Sequence, residues 1–151
     1  MISDTEQMGY DFDWFFTNGE HIGHVASGGG PLPASVAMSA ENLAKLWDYF
    51  SGLFYRCAVN LNPELKTIEN LKTNPDVTDP SISSFTGMAS RGLFSFDKTT
   101  VNNFNNPYYH LVASPVEPST IAELPAEIRD ILSATKYDGE ISGFGNVGEV
   151  R

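Results

Sequence analysis

Few side chains in this 151-residue chain could do chemistry: three histidines (His21, His24 and His110), a single Cys57, and 19 carboxylates set against 9 lysines and arginines. His21 and His24 are three apart in a stretch of strand character, which directs them to opposite faces, so they cannot chelate one metal ion. No other spacing reads as a ligand set, and neither a metal nor a cofactor is expected. No GxSxG, HExxH, Walker or CxxC pattern occurs. One arrangement has acid-base potential: a hairpin would bring Asp13 beside His24, and a carboxylate next to an imidazole is a component of many proton-transfer sites. The plainer reading is a cross-strand charge pair worth roughly a few tenths of a kcal/mol. The sequence indicates no nucleophile or substrate pocket near that pair, so no catalytic residue is assigned. Cys57 falls on an apolar stripe and reads as a small hydrophobe rather than a nucleophile.

The element that must position Asp13 and His24 is Tyr10 to Pro33, YDFDWFFTNGEHIGHVASGGGPLP. Alternating residues on either side of Asn18-Gly19 predict a hairpin with a two-residue type I′ turn. That turn sets Thr17 opposite Glu20, Phe15 opposite Ile22, Trp14 over Gly23 and Asp13 opposite His24. One face then carries Tyr10, Phe12, Trp14, Phe16 and Val25, and is the core side. The other carries Asp11, Asp13, Phe15, Ile22 and His24, and is either half covered by another element or offered to a partner. The glycines Gly28 to Gly30 make a structural corner, since the lysine and helix start of a phosphate loop do not follow them.

Residues 1 to 8 read as a loose polar lead-in. Ser39 caps an amphipathic helix over residues 40 to 57, whose stripe of Leu43, Leu46, Trp47, Phe50, Leu53, Phe54 and Cys57 is the natural cover for the Trp14 face. Asn62 and Pro63 start a shorter helix with Leu65, Ile68 and Leu71 inward, and Asn74 to Ser84 reads as a long loop. Strands follow at Gly92 to Lys98 and Pro107 to Ala113, with Tyr109, Leu111 and Ala113 on one face; the asparagine-rich connection between them carries Phe104. A second main helix runs from Pro125 to about Ala134, and a short strand is expected around Glu140 to Phe144 before a weakly ordered end at 145 to 151. The whole, 1 to 151, reads as one α+β domain: an antiparallel sheet of about four or five strands with two main helices on one side.

The formal charge is -10, and its distribution is uneven: Asp4, Glu6, Asp11, Asp13, Glu20 and Glu41 all precede the first cation, Lys45. Such an end argues against nucleic acid and anionic membrane as direct ligands, both of which need cations, and fits a basic protein partner. The start MISDTEQM has neither a basic region nor an apolar run, and the lone cysteine excludes an internal disulfide, so a reducing cytoplasm is expected.

At DWFF (Asp13 to Phe16), followed by GEHIGHVASGGGPLP, and again at RGLFSFD, YYHLVASPVEP and Leu124-Pro125, the chain resembles small acidic bacterial proteins that look like immunity proteins of polymorphic or contact-dependent toxin systems. The likeness covers roughly three quarters of the chain and brings no catalytic signature. It implies a stable scaffold that occludes a cognate, basic, cytoplasm-acting toxin domain stoichiometrically. The partner-binding residues on this reading are Asp11, Asp13, Phe15, Glu20 and His24 of the open hairpin face, with Phe104 at a second edge. Two other classes stay open: a small enzyme using Asp13 and His24, and a scaffold subunit of a bacterial assembly.

Overall fold

In the computed structural model, which describes residues 1–151, one five-stranded sheet organises the chain, in the order β1-β2-β4-β5-β3. The strands are β1 (Asp13–Thr17), β2 (Ile22–Ala26), β3 (Val59–Leu61), β4 (Phe94–Lys98) and β5 (Tyr109–Pro115). The α+β class is as expected, but the sheet is mixed: β2 and β4 run parallel, while the other three pairings are antiparallel. A tight turn cannot join parallel neighbours; the chain makes the long excursion through helices α3 (Ala40–Ser51) and α5 (Ser83–Ser90) before β4 comes alongside β2.

The hairpin forms with a different loop. Thr17 pairs with Ile22, so four residues, Asn18 to His21, make the turn instead of two. Of the Asn-Gly pair only Gly19 has positive φ, at 96°, which excludes a type I′ turn. Side chains hold the wider loop: Asn18 Oδ1 accepts from the Glu20 and His21 amides at 3.1 and 2.9 Å, and Thr17 Oγ1 accepts from Gly19 N at 3.0 Å and donates to His21 O at 2.7 Å. Each strand slips by one residue, so Asp13 stands opposite Ala26 and Phe15 opposite His24. Because the combined slip is even, every side chain keeps its expected face. Gly23 lies under Phe16 rather than Trp14, and a Cβ there would sit 2.1 Å from the Phe16 ring.

The covers of the two faces are exchanged relative to expectation. Helix α3 packs Leu46 and Phe50 against Phe15 and Ile22, joined by Met88 of α5 and by Ile128 and Leu132 of α6 (Ala126–Leu132). The Trp14 face is instead closed by Val36 of α2 (Ala34–Ala37) and by Ile141 and Phe144 of the C-terminal segment. That segment is not the loose end expected. It has no strand at 140 to 144 but a 3-10 turn at Ile141–Gly143, and it is tied by Tyr109 N to Gly145 O at 2.9 Å, Val147 N to Pro107 O at 3.0 Å and paired bonds between Lys136 and Arg151. Nor is the start loose: Ser3 and Glu6 form a capping box on α1 (Asp4–Gly9).

Helix α3 ends at Ser51, short of Cys57, because Gly52 caps it and Arg91 takes over the last carbonyls, donating to Ser51 O at 3.2 Å and Leu53 O at 2.9 Å. Phe54 is therefore thrown into solvent, and Cys57 sits half buried in coil. Between α3 and α5 lies the one-turn helix α4 (Leu65–Ile68), on which Leu65 is buried but the neighbouring Leu71 is exposed. A bulge between Ser95 and Phe96 re-phases β5, so Ala113 turns to the helix side while Tyr109 stays on the Trp14 side. The glycine corner encloses Lys98: a Cβ on Gly30 would meet Lys98 Cε at 2.7 Å, and Gly29 holds φ 76°. No helix is long and apolar enough to cross a membrane.

Candidate functional site

The helix-side face of the sheet carries the polar residues in two rows. Asp13, Ala26, Asp97 and His110 align across β1, β2, β4 and β5; Phe15, His24, Ser95 and Ala113 form the next row. Asp13 and His24 therefore meet on the diagonal, with Oδ1 to Nε2 at 2.7 Å, and the parallel partner of His24 supplies Ser95 Oγ at 2.7 Å from Nδ1. With an ionised Asp13 accepting from Nε2–H, the other ring nitrogen accepts the Ser95 hydroxyl proton. These are the components of an activated serine. Ser95 and His24 nevertheless have no exposed surface, His24 being packed between the Phe15 and Phe85 rings, so no substrate can reach the hydroxyl. In this position the histidine satisfies both nitrogens within the core and anchors Asp13, the half-exposed end of the line.

Asp13 opens into a groove of about 400 Å³ between α1, the start of β1 and α3. Its acidic wall is Glu6, Asp11 and Asp13; its apolar wall is Leu43, Ala44 and Trp47, the indole being 39% exposed. Glu6 stays ionised: hydrogen bonds from the Ser3 backbone and hydroxyl, both at 2.8 Å, hold its carboxyl below the usual range. Asp11 uses Oδ1 to fix the glycine corner through Gly28 N at 2.8 Å. Lys45, the first cation of the chain, is held by Glu41 at 3.4 Å and Glu127 at 3.0 Å. The groove thus presents carboxylates beside an aromatic ring, an arrangement suited to a lysine or arginine side chain.

Of the residues expected on one partner surface, Asp11 and Asp13 come together here. Phe15 and His24 do not belong to it, because α3 and α5 bury both completely. Glu20 is exposed but lies in the hairpin loop, at the opposite end of β1. Phe104 is half buried and lines a separate cavity of about 450 Å³ with Ile2 and Leu32. The sequence reading misses Glu6 and Trp47: it takes residues 1 to 8 as loose although SDTE is a capping-box pattern, and it puts Trp47 on the buried stripe.

A second cluster has no counterpart in the sequence reading, which finds no ligand set. Glu69, just beyond α4, Asp97 of β4 and His110 of β5 bring one donor atom each to within 4.8 Å of one another. His110 Nε2 is 3.0 Å from Glu69 Oε1, and Thr99 Oγ1 is 3.0 Å from Nδ1. Burial pushes the Asp97 carboxyl up to about 6, against the opposing pull of His110 and with Glu69 and Asp11 adding to the rise.

Comparison with protein-family models, with curated proteins and with solved structures found no match to this chain.

Proposed function

We propose that this chain is an immunity protein that binds a cognate, basic bacterial toxin domain in the cytoplasm and neutralises it by stoichiometric occlusion, with the groove at Glu6, Asp11, Asp13 and Trp47 as the centre of the contact. The observation that carries this reading is the groove itself: exposed carboxylates beside an exposed indole, with Lys45, next in sequence to the groove residue Ala44, already paired. A toxin acting on nucleic acid presents cations around its active site, and carboxylates placed where phosphates bind can occlude it. The resemblance of the DWFF and RGLFSFD stretches to immunity proteins points the same way. The contact buries on the order of 1,200 to 2,000 Å².

The test is titrated co-expression with the C-terminal domain of a secreted protein encoded immediately upstream. Rescue should rise with the molar ratio of the two proteins and level off at one to one. It should weaken in Trp47→Ala and in Asp11→Asn combined with Asp13→Asn, changes that leave the hydrogen bonds of both carboxyl oxygens in place. Protection by a sub-stoichiometric amount of protein contradicts occlusion, since only turnover achieves that, and it would revive acid-base chemistry at Asp13 and His24. A stable homo-oligomer with no rescue would instead favour a scaffold subunit.

A further inference from the structure

We propose that Glu69, Asp97 and His110 bind one divalent transition-metal ion, with the His110 Nε2 and one oxygen of each carboxylate as ligands. Three separate elements contribute: Asp97 and His110 are cross-strand partners on β4 and β5, and Glu69 reaches them from the end of α4. Donor atoms around a zinc ion at about 2.0 to 2.2 Å are separated by roughly 3 to 3.5 Å, so a spread of 4.8 Å closes with small carboxylate rotations. The imidazole is the fixed member. His110 is nine-tenths buried, and Thr99 Oγ1 at its Nδ1 turns Nε2 toward the carboxylates, as the outer hydrogen bond of a metal-ligating histidine does.

Neither carboxylate is paired with a lysine or arginine; the one ion-pair contact either makes is that of Glu69 with His110 itself. Lys98, next in sequence to Asp97, points to the other side of the sheet, over the Tyr109 ring. The two acids therefore leave a negative charge that a cation fits. An approach exists as well, since Glu69 lines a polar cleft of about 560 Å³ with Asp76 and Asp79. One imidazole with two carboxylates suits Zn²⁺, Co²⁺ or Mn²⁺ better than Ca²⁺, which prefers an oxygen-only shell, and among the three Zn²⁺ binds tightest to most such sites. The ion would clamp α4 to the sheet, a role independent of what the groove binds.

The experiment is calorimetric titration of EDTA-stripped protein with ZnCl2, MnCl2 and CaCl2 at neutral pH, with thermal unfolding followed in parallel. Expected is one Zn²⁺ per chain, a raised Tm, weaker Mn²⁺ binding and no comparable Ca²⁺ binding. Glu69→Gln, Asp97→Asn and His110→Gln should each weaken Zn²⁺ at least about tenfold, while His21→Ala leaves it unchanged. If His110→Gln fails to fold, the two carboxamide variants carry the test, along with the visible absorption of Co²⁺, whose intensity separates a four- or five-coordinate protein site from the six-coordinate hydrated ion. The proposal is overturned if no saturable binding occurs below about 1 mM metal, if binding follows His21 instead, or if Ca²⁺ binds as tightly as Zn²⁺.

Discussion

Two residues show how tightly single positions are set. The Gly23 backbone is where the Phe16 ring lies, and a Cβ would come within 2.1 to 2.7 Å of three ring atoms. Phe16 has no exposed surface and contacts the Phe96 and Phe144 rings, so it has nowhere to move without disturbing them. Gly23→Ala should therefore cost about 1 to 3 kcal/mol in chemical denaturation. Its neighbour Trp14 should cost about 3 to 5 kcal/mol when cut to alanine. Trp14→Phe should be much milder, because the buried Nε1 makes no hydrogen bond of normal geometry, so removing it strands no acceptor; the nearby Tyr109 hydroxyl donates to Ser27 O at 3.4 Å. At Asp97 burial sets the outcome. A carboxyl that titrates at about 6 in the fold and near 3.8 when unfolded binds its proton more tightly when folded, so its stabilising contribution is present below about pH 4 and lost as pH rises through 6. In metal-free protein this amounts to roughly 2 to 3 kcal/mol between those limits. Asp97→Asn should flatten that slope and raise stability at pH 7.5 in urea denaturation; an unchanged slope would show that the site is better hydrated than its burial suggests.

At the scale of elements, the hairpin separates what alternation encodes from what it does not. The period-2 pattern of residues 12 to 16 assigns every side chain its face, and an even slip of register leaves that assignment intact. The loop was not legible from Asn18-Gly19, because Asn18 acts through its side-chain oxygen and not through a left-handed backbone. The two turns make opposite predictions for one substitution. Asn18→Gly would suit a type I′ turn, whereas here it removes the acceptor for two amides and should destabilise by about 1 to 2 kcal/mol, measured by urea unfolding. The Ser39 cap was legible, and its Oγ accepts from Asn42 N at 3.1 Å. The C-terminal segment was not: Tyr137, Ile141, Phe144 and Val147 have helix-like spacing, but Gly139, Gly143, Gly145 and Gly148 interrupt it, and the four are ordered by the sheet they cover. Helix α5 was hidden behind NPDVTDPSISS although Phe85, Met88 and Ala89 have helical spacing. The candidate sites divide likewise. Asp11 and Asp13 are two apart at the start of one strand and could be placed together by inspection, while Asp97 meets His110 only through the register of β4 on β5, and Glu69 joins them only through where α4 lies against those strands.

For the molecule as a whole, the decisive property is where its charge lies. Six carboxylates precede the first cation, and Glu6, Asp11 and Asp13 of that set share one groove, so in a chain of net charge -10 the surface proposed to meet the toxin is itself negative. A field of this kind accelerates encounter with a basic partner, and salt weakens it because the Debye length falls from about 10 Å at 0.1 M to about 3 Å at 1 M. The association rate with the cognate toxin domain should therefore drop by about tenfold or more across that range, while dissociation changes little. The combined Asp11→Asn and Asp13→Asn variant should associate more slowly and with a shallower salt dependence. Its Tm should stay close to that of the parent, since the carboxamide oxygen introduced at each position can still accept, from His24 Nε2 in one case and from Gly28 N in the other. Trp47→Ala should act on the other rate, raising dissociation through loss of the ring face that a bound cation would cover. Stopped-flow mixing at several salt concentrations separates the two effects. An association rate indifferent to both salt and the paired aspartate substitutions would remove the groove from the interface, even if the two proteins still formed a one-to-one complex.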